Sequence, residues 1–275
     1  MSPPMVNDLA LVAVDLDGTL LTSTGTLAPR GAALLTQAAQ RGVHVVLATT
    51  RLPESVQAFC RQMALHSPMI CLNGAQIWGS PEGPLWASCC IPQEVALVIA
   101  QVADTHHWDL SITIDAIRYR RARPGQALGP RGPNRRLVPT NVAAIVGAPE
   151  RILVPQPEAI DPLRALCHAR FATDCHTETY DAADGSAREL GIFARQADKG
   201  TALAGVLARL AVRREQVVVI GDNLNDLPMF PYAKVRVAMG NAPETVKQQA
   251  SLIAPSNEEE GVAWVLEAVG LNRTL

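Results

Sequence analysis

Several apolar runs of the sequence end in acidic or hydroxyl side chains instead of further apolar residues. Asp15 and Asp17 follow one such run. Thr49 and Thr50 end a second run, and Asp222 ends a third. In an open parallel sheet, ligands bind beyond the carboxyl ends of the strands. The pattern therefore predicts one polar pocket that these distant segments share.

A pocket rich in carboxylates is suited to a hard divalent cation. Carboxylates within a few ångströms repel one another and raise each other's pKa. Mg²⁺ takes oxygen ligands and typically binds one or two carboxylates together with a substrate phosphate. Lys199, at the start of a predicted helix, can neutralise phosphate charge, and a threonine hydroxyl can hydrogen-bond a phosphate oxygen. These residue types predict metal-assisted phosphoryl transfer.

Strands and helices alternate near both ends of the chain. The predicted strands there are Leu9–Val14, Val43–Thr50, Pro68–Trp78, Gln216–Asp222, Lys234–Ala242 and Leu252–Ala254. The predicted helices there are Pro29–Gly42, Pro53–Pro68, Asp198–Val212, Leu224–Ala233 and Glu259–Val269. This alternation is typical of an α/β domain with a parallel sheet.

The middle of the chain has a different order of strands and helices. Its predicted elements are the helices Ile91–His107 and Pro157–Ala169, an antiparallel pair over Asp109–Arg121, and the strands Arg151–Gln156, Phe171–Tyr180 and Ser186–Ala194. Such a pattern predicts an α+β module with one covered sheet face. We expect a core of residues 1–82 and 195–275, interrupted by an inserted domain of residues 83–194.

Composition narrows the class of protein. The 275 residues are 48% hydrophobic and 18% charged, which is typical of a packed globular protein. The net charge of −2 gives no electrostatic reason to expect binding to nucleic acid or to an anionic membrane. No apolar run approaches the roughly 18 residues of a membrane span. The absence of a signal-like start and of any CxxC pair leads us to expect a cytoplasmic protein with reduced thiols.

Four segments resemble, in chain order, the motifs of the haloacid dehalogenase-like (HAD) superfamily. They are "DLDGTL" at Asp15–Leu20, "LATTR" at Leu47–Arg51, "DKGTAL" at Asp198–Leu203 and "GDNLND" at Gly221–Asp226. Three further segments resemble the Cof-type subfamily: "NGAQI" at Asn73–Ile77, "VAMGNAPETVKQQA" at Val237–Ala250 and "SNEEEGVAWVLE" at Ser256–Glu267. The resemblance implies a Rossmann-like core with an inserted C2-type cap domain.

The resemblance also implies catalytic roles. Asp15 aligns with the nucleophile that forms an aspartyl phosphate, and Asp17 with the general acid and base. Thr49 aligns with the phosphate-binding hydroxyl and Lys199 with the charge-neutralising lysine. The second motif reads Thr49-Thr50-Arg51, where the family commonly has glycine in the middle. This departure leaves open which threonine binds phosphate, and we favour Thr49.

A metal site and its surroundings follow from the same alignment. Asp15, Asp222 and the main-chain carbonyl of Asp17 are the implied ligands of Mg²⁺. Asp226 is expected either to bind the metal through water or to hold Lys199. The other residues expected at the substrate or behind the site are Gly18, Thr50, Arg51, Asn73, Gly74, Asn225 and Asn241. Gly18 is expected to leave room for the phosphoryl group.

The function that these expectations favour is a Mg²⁺-dependent phosphatase acting on small phosphate monoesters, such as sugar or cofactor phosphates. One alternative is a phosphomutase of the phosphomannomutase-like type. The other is a non-catalytic phosphosugar-binding protein, against which the full set of nucleophile, acid, lysine and metal ligand argues. The arginine-rich stretch 118–136 is interpreted as a mobile, solvated loop in preference to a contact with an anionic substrate.

Overall fold

The computed structural model describes residues 8–181 and 188–270. The α-helices, in chain order, are α1 (Pro29–Gln40), α2 (Pro53–Gln62), α3 (Gln93–Thr105), α4 (Pro157–Arg170), α5 (Lys199–Leu210), α6 (Glu244–Lys247) and α7 (Gly261–Ala268). The strands are β1 (Leu11–Val14), β2 (His44–Ala48), β3 (Met69–Cys71), β4 (Gln76–Trp78), β5 (Leu85–Ser88), β6 (Ser111–Ile114), β7 (Ile117–Arg121), β8 (Gly129–Pro130), β9 (Arg135–Val138), β10 (Arg151–Val154), β11 (Cys175–Asp181), β12 (Arg188–Ala194), β13 (Val217–Gly221), β14 (Val235–Ala238) and β15 (Leu252–Ile253). None of the helices within these ranges has both the length and the apolar character needed to cross a membrane.

The chain divides into two compact units. One consists of Met1–Ala87 and Asp198–Leu275, and the other of Ser88–Ala197. In the first unit, eight strands form one sheet in the order β15-β14-β13-β1-β2-β3-β4-β5. The strands from β15 to β3 pair in parallel, and β4 pairs antiparallel to β3. The predicted parallel-sheet core is confirmed.

The central strand β1 is buried on both faces. Leu11 and Ala13 belong to a buried cluster that includes residues of α5 and β13. Val12 and Val14, which point to the opposite face because side chains alternate along a strand, are also fully buried. An apolar run buried in this way can change to polar residues only where it leaves the sheet. Asp15 is that point in β1.

The first unit extends further along the chain than the sequence predicts. We expected the inserted domain to begin at residue 83, with the boundary near Pro81–Pro84. In the structure this segment is a hairpin turn, closed by a hydrogen bond from the Gly79 amide to the Pro84 carbonyl. The turn leads into β5, which adds an eighth strand to the core sheet.

The second unit contains a seven-stranded sheet in the order β11-β12-β10-β6-β7-β9-β8. Its strands pair antiparallel except for β7 and β9, which are parallel. The helix α4 packs on β10, β11 and β12, and α3 contacts α4. The expected α+β character of the insertion is confirmed.

The stretch 118–136, interpreted as a mobile loop, contains two short strands beyond the antiparallel pair that was predicted to end at Arg121. Arg118–Arg121 lie in β7, Gly129–Pro130 form β8, and Arg135 begins β9. β9 pairs in parallel with β7, and Arg135 lies opposite Arg118. The alternation of Ile117 and Tyr119 with Arg118 and Arg120 marks β7, but clustered proline, glycine and arginine conceal β8 and β9.

Candidate active site

Side chains from three distant segments of the first unit meet at the carboxyl ends of β1 and β13. The ammonium nitrogen of Lys199 lies 2.6 Å from Asp15 Oδ1 and 2.6 Å from Asp226 Oδ1. Asp15, Asp222 and Asp226 each place one carboxylate oxygen within 4.8 Å of the others. The predicted convergence of these segments is therefore present in the folded chain.

Lys199 is almost completely buried at the first position of α5. The preceding residue, Asp198, caps the helix by accepting a 2.8 Å hydrogen bond from the Thr201 amide. Burial alone would lower the pKa of Lys199, but the carboxylates of Asp15 and Asp226 outweigh it and raise the pKa above its ordinary value. The side chain is therefore a fixed positive charge beside two acids.

The carboxyl groups of Asp15 and Asp222 both have raised pKa values in the absence of a bound cation. Burial raises the pKa of Asp15 well above its usual value; Lys199 opposes this rise, and Asp226 and Asp222 add to it. Burial, together with repulsion from Asp226, also raises the pKa of Asp222 to about 6. Three close carboxylates that repel one another fit a hard divalent cation, which would relieve that repulsion.

Asp226 has a second contact besides Lys199. Its Oδ2 atom accepts hydrogen bonds of 3.0 Å from the main-chain amides of Asp222 and Asn223. The side chain thus ties the loop after β13 to the start of α5. Of the two expectations for Asp226, the structure contains the contact with Lys199.

Gly18 and Thr19 shape the space around Asp222. Gly18 has a positive φ of 79°, and a Cβ atom there would lie 2.4 Å from Asp222 Oδ2. The absence of a side chain thus makes room for the Asp222 carboxylate, whereas we expected the room to serve the phosphoryl group. Thr19 donates a 2.7 Å hydrogen bond to Asp222 Oδ1. Sequence reasoning assigned no role to Thr19, although it lies inside the "DLDGTL" motif.

Asp17 lies in the fork of a guanidinium group. Arg51 donates from Nε to Asp17 Oδ2 at 2.8 Å and from its terminal nitrogen to Oδ1 at 2.5 Å. The Asp17 side chain is 49% exposed, in contrast to the buried Asp15. The hydrogen bonds that Arg51 donates to Asp17 raise the pKa of the Arg51 guanidinium group. The carboxylate is therefore oriented by a permanent cation and open to solvent.

Thr49 and Thr50 differ in burial. Thr49 is fully buried, and its hydroxyl oxygen accepts a 3.2 Å hydrogen bond from the Arg51 amide. That bond does not use the hydroxyl proton, which can be donated to another acceptor. Thr50 is only partly buried. These facts are consistent with the preference for Thr49, which stays a prediction.

Asn73 and Gly74 lie in the loop after β3, and this loop packs against the start of α5. Asn73 is buried with a left-handed backbone, and its Oδ1 accepts a 3.2 Å hydrogen bond from Asn225. Gly74 has a φ of 92°, and a Cβ atom there would lie only 2.2 Å from the Asp198 carbonyl oxygen. The loop therefore packs closely against the residue that precedes Lys199.

Asn241 supports the loop after β1 from the other side. Its amide nitrogen donates to the Gly18 carbonyl at 2.8 Å, and its Oδ1 accepts from the Asn257 amide at 3.1 Å. Gly74, Asn225 and Asn241 are thus placed to hold the loops around the carboxylates.

Comparison with known protein families identifies the class to which this fold and this site belong. Residues 12–266 match a family model described as haloacid dehalogenase-like hydrolase. The chain belongs to this family, and the Cof-type resemblance found in the sequence is confirmed. So is the prediction of a parallel-sheet core with an inserted cap.

Individual relatives cover almost the whole chain. The pyridoxal phosphate phosphatase YbhA of Escherichia coli is 28% identical over 271 residues, which are 92% of this chain and 96% of that protein. The 5-amino-6-(5-phospho-D-ribitylamino)uracil phosphatase YcsE of Bacillus subtilis is 27% identical, with 94% and 97% covered. The crystal structure of TM0651 from Thermotoga maritima has a TM-score of 0.79 at 27% identity, with 94% and 97% covered. The protein is an enzyme of the phosphatase type.

Proposed function

We propose that the protein hydrolyses small phosphate monoesters in a Mg²⁺-dependent reaction that passes through an aspartyl phosphate on Asp15. The observation that carries the proposal is the contact of the buried Lys199 with Asp15 beside Asp222. A binding protein would need the positive charge to hold phosphate. It would not need a carboxylate buried next to it, since that carboxylate repels the ligand.

The donor set fits a hard divalent cation. Asp15, Asp222 and the main-chain carbonyl of Asp17 would hold Mg²⁺, and the raised pKa of Asp222 is the expected signature of carboxylates that share such a site. When bound, the cation supplies positive charge that offsets the charge of the phosphoryl oxygens.

In the first step, a carboxylate oxygen of Asp15 attacks phosphorus while the bond from phosphorus to the leaving oxygen breaks. Asp17 gives its proton to that leaving oxygen, so that an alcohol departs. Lys199 stays charged and neutralises part of the negative charge around the reacting group. Thr49 donates its hydroxyl proton to a phosphoryl oxygen.

In the second step, the ionised Asp17 takes a proton from a water molecule as the water oxygen attacks phosphorus. The bond between phosphorus and Asp15 breaks, which releases phosphate and restores the Asp15 carboxylate. Asp17 is again protonated for the next cycle. Arg51 contacts both oxygens of the ionised Asp17, and in the protonated state it would keep the bond to one oxygen while the other oxygen carries the proton.

The relatives suggest which substrates to test first. YbhA is a pyridoxal phosphate phosphatase and YcsE a ribitylaminouracil phosphate phosphatase. Both compounds carry a phosphate ester on a small polar molecule. We therefore propose cofactor phosphates, their precursors and sugar phosphates as the substrate class.

The test is phosphate release from pyridoxal phosphate, p-nitrophenyl phosphate and a panel of sugar phosphates, with Mg²⁺ or with EDTA. We expect turnover with Mg²⁺, almost none with EDTA, and none for Asp15→Asn. The exposed Asp8→Asn makes the same chemical change outside the site and should leave the rate unchanged. Full turnover by Asp15→Asn, or with EDTA, would show the mechanism to be wrong.

A further inference from the structure

A cavity of about 490 Å³ lies at the edge of the core sheet that is opposite to the carboxylate cluster. Arg214, just before β13, and Arg236, the second residue of β14, both line it. Gln248, shortly before β15, lines it too. Because these strands and β1 run in parallel, their amino ends share one edge, whereas Asp15 and Asp222 follow the carboxyl ends. The cavity is therefore separate from the candidate active site.

The guanidinium group of Arg236 has neither a hydrogen bond nor an ion pair within the part of the chain that the structure describes. The Ser251 hydroxyl contacts the main-chain amide and carbonyl of Arg236, but these contacts do not involve the side chain. The Nε atom of Arg236 is buried and unsatisfied. Buried donors in native proteins are nearly always hydrogen-bonded, so this atom is evidence for a further partner.

Arg214 brings a second positive charge to the same cavity. Its Nε atom donates to the Ala233 carbonyl at 3.3 Å. This bond orients the guanidinium group without neutralising it, because a carbonyl is uncharged and arginine does not lose its proton in proteins. Among the described residues, the terminal nitrogens of Arg214 have no hydrogen-bond acceptor. They remain available to a ligand.

Three exposed acids were considered as partners that could balance these two charges. They are Asp8 before β1, Glu215 next to Arg214, and Glu244 one helical turn before Gln248. In residues 8–181 and 188–270, none of the three forms an ion pair with either arginine. None of them lines the cavity. The two guanidinium groups therefore face the cavity without a carboxylate bound to them.

The cavity also has an apolar part. Leu227, Phe230 and Pro231 line it from the segment Leu224–Tyr232. Binding sites for small molecules typically combine such an apolar wall with a few polar groups that fix the orientation of the ligand. A ligand with one anionic end and one apolar end fits this combination.

We propose that this cavity binds a small organic phosphate, with its phosphate group on Arg214 and Arg236 and its apolar part against Phe230 and Pro231. A phosphate monoester carries close to two negative charges near neutral pH, which match two guanidinium groups. Guanidinium groups hold phosphate oxygens through parallel hydrogen bonds. The proposal goes beyond the hydrolysis at Asp15, because it concerns a second site at the other edge of the sheet.

The test is calorimetric titration of the full-length protein with phenylphosphonate at pH 8 in the presence of EDTA. This probe carries a dianionic group on an apolar ring. Without a divalent cation, the three acids around Lys199 leave the core site net negative, so that it repels the probe. We expect Arg214→Ala/Arg236→Met to weaken binding at least about tenfold, or about 1.4 kcal/mol.

Two further probes test the chemistry of the ligand. Methylphosphonate keeps the charge but lacks the ring, and benzoate keeps the ring but has a single charge. Each should bind at least about tenfold more weakly than phenylphosphonate. Equal binding of methylphosphonate would contradict the apolar contact, and equal binding of benzoate would contradict the preference for a phosphate group.

A matched pair of substitutions controls for net charge. Arg61 and Arg209 are exposed arginines of the same unit outside the cavity, and Arg61→Ala/Arg209→Met should bind phenylphosphonate like the unchanged protein. Urea denaturation checks that both double variants are folded. Absence of binding by the unchanged protein, or equal weakening by both pairs, would overturn the proposal. Because the titration measures no turnover, the result does not depend on the reaction at Asp15.

Discussion

At the residue scale, the positive charge of Lys199 stabilises the buried cluster of carboxylates. This buried ammonium contacts Asp15 and Asp226, and removal of one partner from a buried ion pair leaves the other charges uncompensated. We expect Lys199→Met to lower the free energy of unfolding by about 3–5 kcal/mol, measured by urea denaturation.

A second substitution separates charge from packing in this prediction. Lys199→Met/Asp226→Asn removes one negative charge together with the positive one and should recover part of the lost stability. If the double variant is less stable than Lys199→Met alone, repulsion between the acids is not the cause of the loss.

Arg51 is expected to act through Asp17 and not on the substrate directly. Arg51→Ala frees the Asp17 carboxylate, so that protonation of the leaving group should slow by roughly tenfold or more. A leaving group such as p-nitrophenolate scarcely needs that proton, and an alkoxide does. The predicted loss of kcat is therefore much larger for an alkyl phosphate than for p-nitrophenyl phosphate.

Two comparisons make the Arg51 prediction specific. Arg51→Lys keeps the charge but not the planar fork and should recover only part of the rate. Arg61→Ala, an exposed arginine on the helix that follows, should behave like the unchanged protein. An equal loss of kcat on both substrates would mean that Arg51 has a general structural role.

At the scale of elements, the site is made by loops that follow parallel strands and by the start of one helix. β1 lies between β13 and β2, so the residues after these strands become neighbours although they are far apart in sequence. The contact between the loop after β3 and the start of α5 adds Lys199 to this group. Glycine at position 74 makes that contact possible.

We expect Gly74→Ala to distort the start of α5. The new methyl group would meet the Asp198 carbonyl oxygen at 2.2 Å in a backbone with a φ of 92°. Gly42→Ala is a matched control, because Gly42 has a φ of 88° with no atom within 4 Å of a new Cβ. Gly42→Ala should cost about 1 kcal/mol of unfolding free energy, and Gly74→Ala clearly more, with a loss of phosphatase activity. Equal costs for the two variants would contradict the packing argument.

Sequence periodicity predicted the elements of the core because each buried strand is a run of apolar residues that ends at a polar one. The convergence of Asp15 and Asp222 followed from the rule that the carboxyl ends of parallel strands lie at the same edge of the sheet, and Lys199 was expected there from its position at the start of a helix. The pairing of β7 with β9 was missed, because β9 is a short strand that begins with two arginines in a segment rich in proline, glycine and arginine. Thr19 was missed because its partner, Asp222, is 203 residues away and nothing local marks the contact.

At the scale of the whole molecule, metal binding should link stability to pH. The pKa of Asp222 is about 6 in the folded protein, above its ordinary value of 3.8. The folded protein therefore holds this proton more tightly than the unfolded chain, so the metal-free protein loses stability as pH rises from about 4 to above 6. A divalent cation needs the ionised carboxylate and restores that stability.

We accordingly expect Mg²⁺ to raise the Tm more at pH 8 than at pH 5, measured by scanning fluorimetry. Asp222→Asn cannot ionise at this position and should show a smaller Tm shift with Mg²⁺ at pH 8. A shift of equal size at both pH values would contradict the assignment of Asp222 as a metal ligand.

The most direct test of the central claim is to trap the covalent intermediate. The protein would be mixed rapidly with pyridoxal phosphate or p-nitrophenyl phosphate and Mg²⁺, reduced with borohydride, digested and examined by mass spectrometry. An aspartyl phosphate is reduced to homoserine, which we predict at position 15 and nowhere else. Rapid phosphate release with an unchanged Asp15, or with homoserine at a different aspartate, would contradict the assignment of Asp15 as the nucleophile.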